Sequence, residues 1–360
     1  MGLAILLVLL YHASITFPCY LITAPFSFLH KTLYFAVDIF IFLSGYGLVR
    51  SRFNTRKPWP LFFYQRLTRI LPAFYVGLTG LFLIQILKGY PPKIKNLFLR
   101  YSTLSFWFGK PYFFASEWFI PALLGLYLLF PLLFIKYERS LDKLRFVVFS
   151  IALSLLVDAV LIIIHCNHLL IMTTRIPALI LGIHVGYSTF SDMTTGTSNI
   201  GKRSAIITVI ACYTVLSILF KLSSVDQRFQ YGLWWLPLIP AIIPVSVLMA
   251  QWIAKLREAQ NRQLAKKILW LLRFSGVYSL EIFVLHQFFY DVFPVISYLC
   301  AYCNWVNEVM HYINRGGYFE FTLYATATLV TAPILGKADA WIKGKLDGIL
   351  CYYKILGGTH

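Results

Sequence analysis

The chain has 360 residues, 59% of them hydrophobic and only 13% charged, with a net charge of +18 and a mean hydropathy of +0.71. A soluble globular domain carries about a quarter charged residues, so the composition excludes an ordinary soluble enzyme and points to a polytopic membrane protein. The cations would suggest nucleic acid on a soluble chain, but here they fall between apolar runs, so topology accounts for them and no nucleic-acid partner is expected.

A spanning helix needs about 20 mostly apolar residues. By that rule ten spans are expected, at roughly 2–21, 32–49, 70–88, 117–135, 146–164, 169–189, 204–222, 232–254, 277–297 and 320–336. The fold class that follows is all-α, a transmembrane bundle of about ten helices forming one membrane domain over 1–360. The first run lacks a small-residue cleavage site and does not read as a signal peptide. The stretch 96–115 is aromatic and broken at Gly109-Lys110-Pro111, which reads as interfacial or re-entrant. Ser191–Ser198 reads as a flexible loop. With the N-terminus inside, 22 Lys and Arg fall in inner loops and 9 in outer ones, the bias of a cytoplasmic N-terminus. The outer loop 88–116 is the exception, and either solvated charge or contact with an anionic substrate or lipid head groups accounts for it. Cys300-Ala-Tyr-Cys303 has no second pair, so no zinc site is expected; the cysteines read as buried thiols, with a disulfide near an outer face as the alternative.

Ionisable residues inside these runs are candidate functional groups, because charge at membrane depth is costly unless it faces protein or water. His12 lies in the first run, where a neutral imidazole can take a proton from a hydroxyl. Fixing the packing through a carbonyl is the plain alternative for it. Asp38 lies in the second run and needs a partner: His12, Arg66, Arg69 and Arg175 are the choices. The following Ser44-Gly45-Tyr46-Gly47 suits close helix approach. Arg66 and Arg69 share one helical face and suit phosphate oxygens, although anchoring at the inner boundary is the commoner use of such a pair. Pro72 just after them is placed to break or bend the helix. Glu117 and Trp118 open the fourth span on the outer side, where a carboxylate and an indole suit a sugar. Arg175, Glu281 and His286 are further deep polar groups, and Glu281 and His286, five apart, are not quite on one face.

Three strings carry a resemblance: Gly2-Leu-Ala-Ile-Leu-Leu-Val-Leu-Leu-Tyr-His12, Val37-Asp38-Ile-Phe-Ile-Phe-Leu-Ser-Gly45, and Phe63-Tyr-Gln-Arg66-Leu-Thr-Arg69-Ile-Leu-Pro72. With Trp118-Phe-Ile-Pro, Arg175-Ile-Pro-Ala-Leu-Ile-Leu-Gly182 and Ser279-Leu-Glu281-Ile-Phe-Val-Leu-His286, they follow one another as in the membrane acyltransferase type 3 family, which the chain resembles from residue 2 to about 290. The family pattern has a short basic lead ending in Arg-Gly before the first helix; only Gly2 of it stands here.

The resemblance implies an inner-membrane, multi-pass O-acyltransferase that moves an acyl group, usually acetyl, from cytoplasmic acyl-CoA to a hydroxyl of a surface glycan or lipid-linked sugar. It implies His12 as the essential histidine and Arg66 with Arg69 as the pair serving the acyl-CoA phosphates. Beside it stand the roles argued from position: Asp38 or Glu281 orienting the imidazolium, and Glu117, Trp118 and Arg175 binding the acceptor. Acetyl-CoA is the expected co-substrate, membrane lipids surround the chain, and no metal is expected. The rival reading is a transporter or flippase of polysaccharide or lipid-linked sugar, which also needs many helices and a polar interior.

Overall fold

Long apolar runs fold as helices because, inside a bilayer, each backbone N–H and C=O must be satisfied within its own segment. The computed structural model describes residues 1–16, 32–87, 89–110, 117–191, 202–222, 238–286, 288–289 and 318–357. Its helices are α1 (Gly2–Thr16), α2 (Ala36–Thr55), α3 (Trp59–Leu87), α4 (Ile94–Tyr101), α5 (Leu104–Trp107), α6 (Phe119–Arg139), α7 (Lys143–Ile163) and α8 (Leu170–Thr173). They continue with α9 (Ile176–Ser191), α10 (Lys202–Leu222), α11 (Ile242–Glu258), α12 (Gln263–Val277), α13 (Ser279–His286) and α14 (Tyr318–Gly357). No strand occurs among the described residues.

Five segments among the described residues are long and apolar enough to cross a membrane: α3, α6, α7, Asn167–Phe190 and Leu238–Glu258. α12 and α13 make a sixth if taken as one broken span. The count of ten is not confirmed among the described residues. α2 holds Asp38, Arg50 and Arg52, and the helix expected to end at 336 runs on through Lys337, Asp339, Lys343, Lys345 and Asp347 to Gly357. Gly2–His12 and Arg203–Val215 are apolar but shorter. The ends of the runs expected at 2–21 and 277–297, the Cys300–Cys303 pair and most of the Ser191–Ser198 loop lie outside the described residues. In the stretch 96–115, α4 and α5 have eight and four residues, too few to span. α7 leaves Val148, Phe149, Leu156, Val160 and Ile163 exposed, an apolar side suited to lipid.

Packing divides the chain into two compact units, each drawn from separated stretches. The first comprises Met1, Tyr34–Pro58 and Thr103–Arg273; the second comprises Gly2–Leu33, Trp59–Ser102 and Phe274–His360.

In the first unit α2 and α9 lie against each other along most of their length. A Cβ on Gly45 would stand 2.7 Å from the carbonyl oxygen of Leu179, and one on Gly182 would overlap the carbonyl of Phe42. Both obstacles are backbone and cannot rotate away, so small residues here let two helices touch main chain to main chain. Gly47 has open space beside it. Gly182→Ala is therefore expected to destabilise the protein by about 1–3 kcal/mol, whereas Gly47→Ala is neutral or gains up to about 1 kcal/mol. Thermal unfolding in detergent checks this, and equal effects at the two positions would contradict it.

A lysine closes the C-terminal end of α6. The Lys143 ammonium donates to the carbonyls of Tyr137 (2.8 Å), Glu138 (2.8 Å) and Ser140 (2.7 Å). These are carbonyls that a helix C-terminus leaves without partners. Asp142 caps the start of α7 by accepting from the Arg145 N–H at 2.9 Å.

In the second unit Ala73 of α3, Val284 of α13 and Leu335 of α14 form a buried core, with Leu280 and Leu285 against it. Gly77 leaves the room that the Val284 side chain fills, and Gly336 does the same for Tyr278. α3 runs unbroken through Pro72, which is buried; the expected break does not occur. On α1 the buried Ala4, Ile5, Val8 and Leu9 lead by steps of three and four to the half-buried His12, so the imidazole continues the inward stripe.

Candidate active site

Two polar constellations occupy the second unit. The first is built on Arg69, one turn after Arg66 on α3. Its Nη1 donates to Glu281 Oε1 at 2.7 Å and to Asp339 Oδ2 at 2.9 Å, and its Nη2 donates to Glu281 Oε2 at 3.1 Å. The side chain of Arg69 is 40% exposed, while those of Glu281 and Asp339 are 2% and 5% exposed. One planar guanidinium thus joins α3, α13 and α14 by a forked pair plus a third bond, a geometry that lysine cannot reproduce. Arg66 lies over the ring of Phe62, with its guanidinium carbon 5.5 Å from the ring centre.

The second constellation is a pair of imidazoles. The rings of His12 on α1 and His286 at the end of α13 are 4.7 Å apart between centres and tilted by 48°. Tyr11 adjoins the His12 ring at 5.1 Å, and Phe283 adjoins His286 at 5.2 Å. His286 has no exposed surface. Five residues apart, Glu281 and His286 point roughly 140° from one another around α13. One therefore reaches the guanidinium while the other faces His12.

The first unit carries its own buried polar group. Arg175 is 1% exposed; its Nε stands 3.8 Å from Asp38 Oδ1, and Nη1 donates to the carbonyl of Ile171. Its guanidinium carbon lies 4.8 Å from the ring centre of Trp118, a cation–π contact in a dry setting. Beside Trp118 in sequence, Glu117 is buried and accepts from Ser105 at 3.3 Å. On α7, buried Asp158 accepts from Thr173. Tyr137 and His184 Nδ1 are 2.8 Å apart. Where α2 and α6 carry their basic ends, Arg52, Phe53, Arg56, Phe134 and Glu138 line a cavity of about 210 Å³.

Of the residues singled out in the sequence, the structure brings together Asp38, Arg175 and Trp118 in one unit, and Arg69 with Glu281 in the other. The partner of Asp38 is Arg175. Arg69, expected to face phosphate, spends both terminal nitrogens on carboxylates. Two residues given no role in the sequence stand in these clusters: His286 and Asp339. His286 carried the same signal as His12, a titratable ring inside an apolar run. Asp339 lay beyond the expected end of the last span and read as tail. Among the described residues no group of three or more His, Cys, Asp or Glu is disposed to hold a metal ion.

Long apolar helices with ionisable groups turned inward onto one another fit a polytopic membrane protein, and charge at such depth suits chemistry or transport. The comparison with known families favours chemistry. The chain belongs to the acyltransferase type 3 family: a family model described as an acyltransferase domain matches residues 2–334. No curated protein and no solved structure gives a significant match.

Proposed function

We propose that the protein is an inner-membrane O-acyltransferase that takes an acyl group, in the first instance acetyl, from cytoplasmic acyl-CoA. The acceptor is a hydroxyl of a cell-surface polysaccharide or lipid-linked sugar. The observation that carries this reading is His12, an imidazole on the inward face of α1 in a chain of the acyltransferase family. In the proposed reaction His12 removes the proton of the acceptor hydroxyl as its oxygen attacks the thioester carbonyl. The carbon–sulfur bond then breaks and CoA leaves with the electron pair. General-base help of this kind is worth roughly 10²–10⁴ in rate.

The supporting parts have separate tasks. Arg66 is assigned to the phosphates of the donor. Arg69 serves them only if its fork to Glu281 and Asp339 opens, and otherwise it fixes α3, α13 and α14 in register. Glu281, tied to Arg69, helps His12 by holding α13 rather than by touching the ring. Asp38 holds Arg175, and Arg175 with Trp118 and Glu117 offers charge and an aromatic face to a sugar. The cationic cavity at Arg52 and Arg56 has the chemistry for an anionic donor on the cytoplasmic side, which the loop charges assign to this end.

Mass analysis of surface glycans from a strain lacking the gene tests the acceptor class. Loss of an ester, restored by the intact gene, is expected. An unchanged ester profile in the deletion strain would contradict the reading.

A further inference from the structure

We propose that His286 is a second catalytic imidazole, working on the same proton as His12; the proposal rests on the acyltransferase reading above. His286 is fully buried, and its ring nitrogens meet no side-chain partner among the described residues, only the backbone of Ile282 and Phe283 one turn back. A buried polar nitrogen left short of a well-formed hydrogen bond is costly. The position is flanked by aromatic rings, Phe283 on one side and His12 on the other, so phenylalanine would fill it without that cost. A buried polar ring in such a place is available to what enters the site.

The ring is also aimed. Val284 seats in the space left by Gly77, and Glu281 is clamped by Arg69, which Asp339 also holds, so two side chains fix the rotation of α13 about its axis. With that rotation set, the next turn delivers His286 to a ring-centre distance of 4.7 Å from His12. A small turn of either ring brings nitrogen to nitrogen, and catalytic hydrogen bonds often tighten only when substrate is bound.

The proton then has a complete route. His12 takes it from the acceptor hydroxyl while the new oxygen–carbon bond forms. His12 passes it to His286 and returns to the neutral form. The carbon–sulfur bond breaks, the thiolate leaves with the electron pair, and His286 gives it the proton. Both imidazoles end neutral, and the products are the ester and the free thiol. Nothing else is consumed, and neither cation persists in a site that is costly for charge.

The test uses the full chain in proteoliposomes with acetyl-CoA and acceptor-bearing membrane extract, comparing wild type, His286→Phe and His286→Gln. Phenylalanine keeps the ring shape and glutamine keeps hydrogen bonding; neither can relay a proton at neutral pH. Both variants are expected to keep the wild-type melting temperature within a few degrees and the wild-type KM for acetyl-CoA. Both should lose kcat by about 100-fold or more, with the wild-type pH dependence of kcat lost. Wild-type kcat in His286→Phe overturns the proposal and leaves the acyltransferase reading standing. So does a lower activity that matches the loss of folded protein in both variants, because that is a packing role. A wild type that forms no ester and releases no thiol overturns both.

Discussion

Replacing His12 with Ala is expected to lower acyl transfer by about 10²–10⁴-fold, the usual worth of a positioned general base, while the protein still enters the membrane and binds donor. The reason lies in how α1 is seated. Ala4, Ile5, Val8 and Leu9 are the buried residues that hold the helix, and His12 is only half-buried beyond them. Truncating the ring removes a proton acceptor without removing the anchor. A retained KM for acetyl-CoA with a collapsed kcat would mark an interaction made in the transition state alone. His12→Gln should behave like the alanine variant, since an amide keeps the size but cannot accept the proton. Radiolabel transfer from acetyl-CoA, measured per unit of folded protein, reads the effect.

The second large effect concerns stability rather than rate. Arg69→Ala leaves Glu281 and Asp339, both buried, facing each other without a cation. Removing one partner of a buried ion pair typically costs roughly 3–5 kcal/mol. The 40% exposure of the Arg69 side chain lets water compensate in part, so the lower end of that range is expected. Arg69→Lys recovers only some of it, because an ammonium cannot make the forked bond to Glu281. The mechanism has a distinct signature in a double-mutant cycle: Glu281→Gln added to Arg69→Ala should restore stability, since it removes one of the two stranded charges. Thermal unfolding in detergent reads all four proteins. Simple additivity of the two substitutions would show that the fork does not hold the helices.

Much of this was legible in the chain, and the remainder had a physical reason for staying hidden. Apolar length identifies helices because a bilayer accepts little else. Polar letters inside apolar runs pick out His12, Asp38, Arg175 and Glu281, because each is costly there. Pairing is another matter. Asp38 had four possible partners, and only the close approach of α2 and α9 through Gly45 and Gly182 selects Arg175. The motif Ser44-Gly45-Tyr46-Gly47 could not say which glycine packs; two residues on a helix point to nearly opposite sides, and Gly45 alone meets α9. Arg66 and Arg69 were legible as one face, but the carboxylates that meet Arg69 lie 212 and 270 residues further along the chain. Asp339 was hidden by a length rule that ended the last span at 336, whereas α14 continues to Gly357. Pro72 shows the converse: a local breaker signal yields where tertiary packing holds the helix on both sides of it.

Purified protein reconstituted with acetyl-CoA and acceptor membranes shows whether an imidazole among these helices uses a thioester, by counting free thiol against new ester in the same sample. One thiol per ester is expected from the wild type, and neither above background from His12→Ala. Translocation of the glycan with no thiol released, or equal ester formation by His12→Ala, would contradict it.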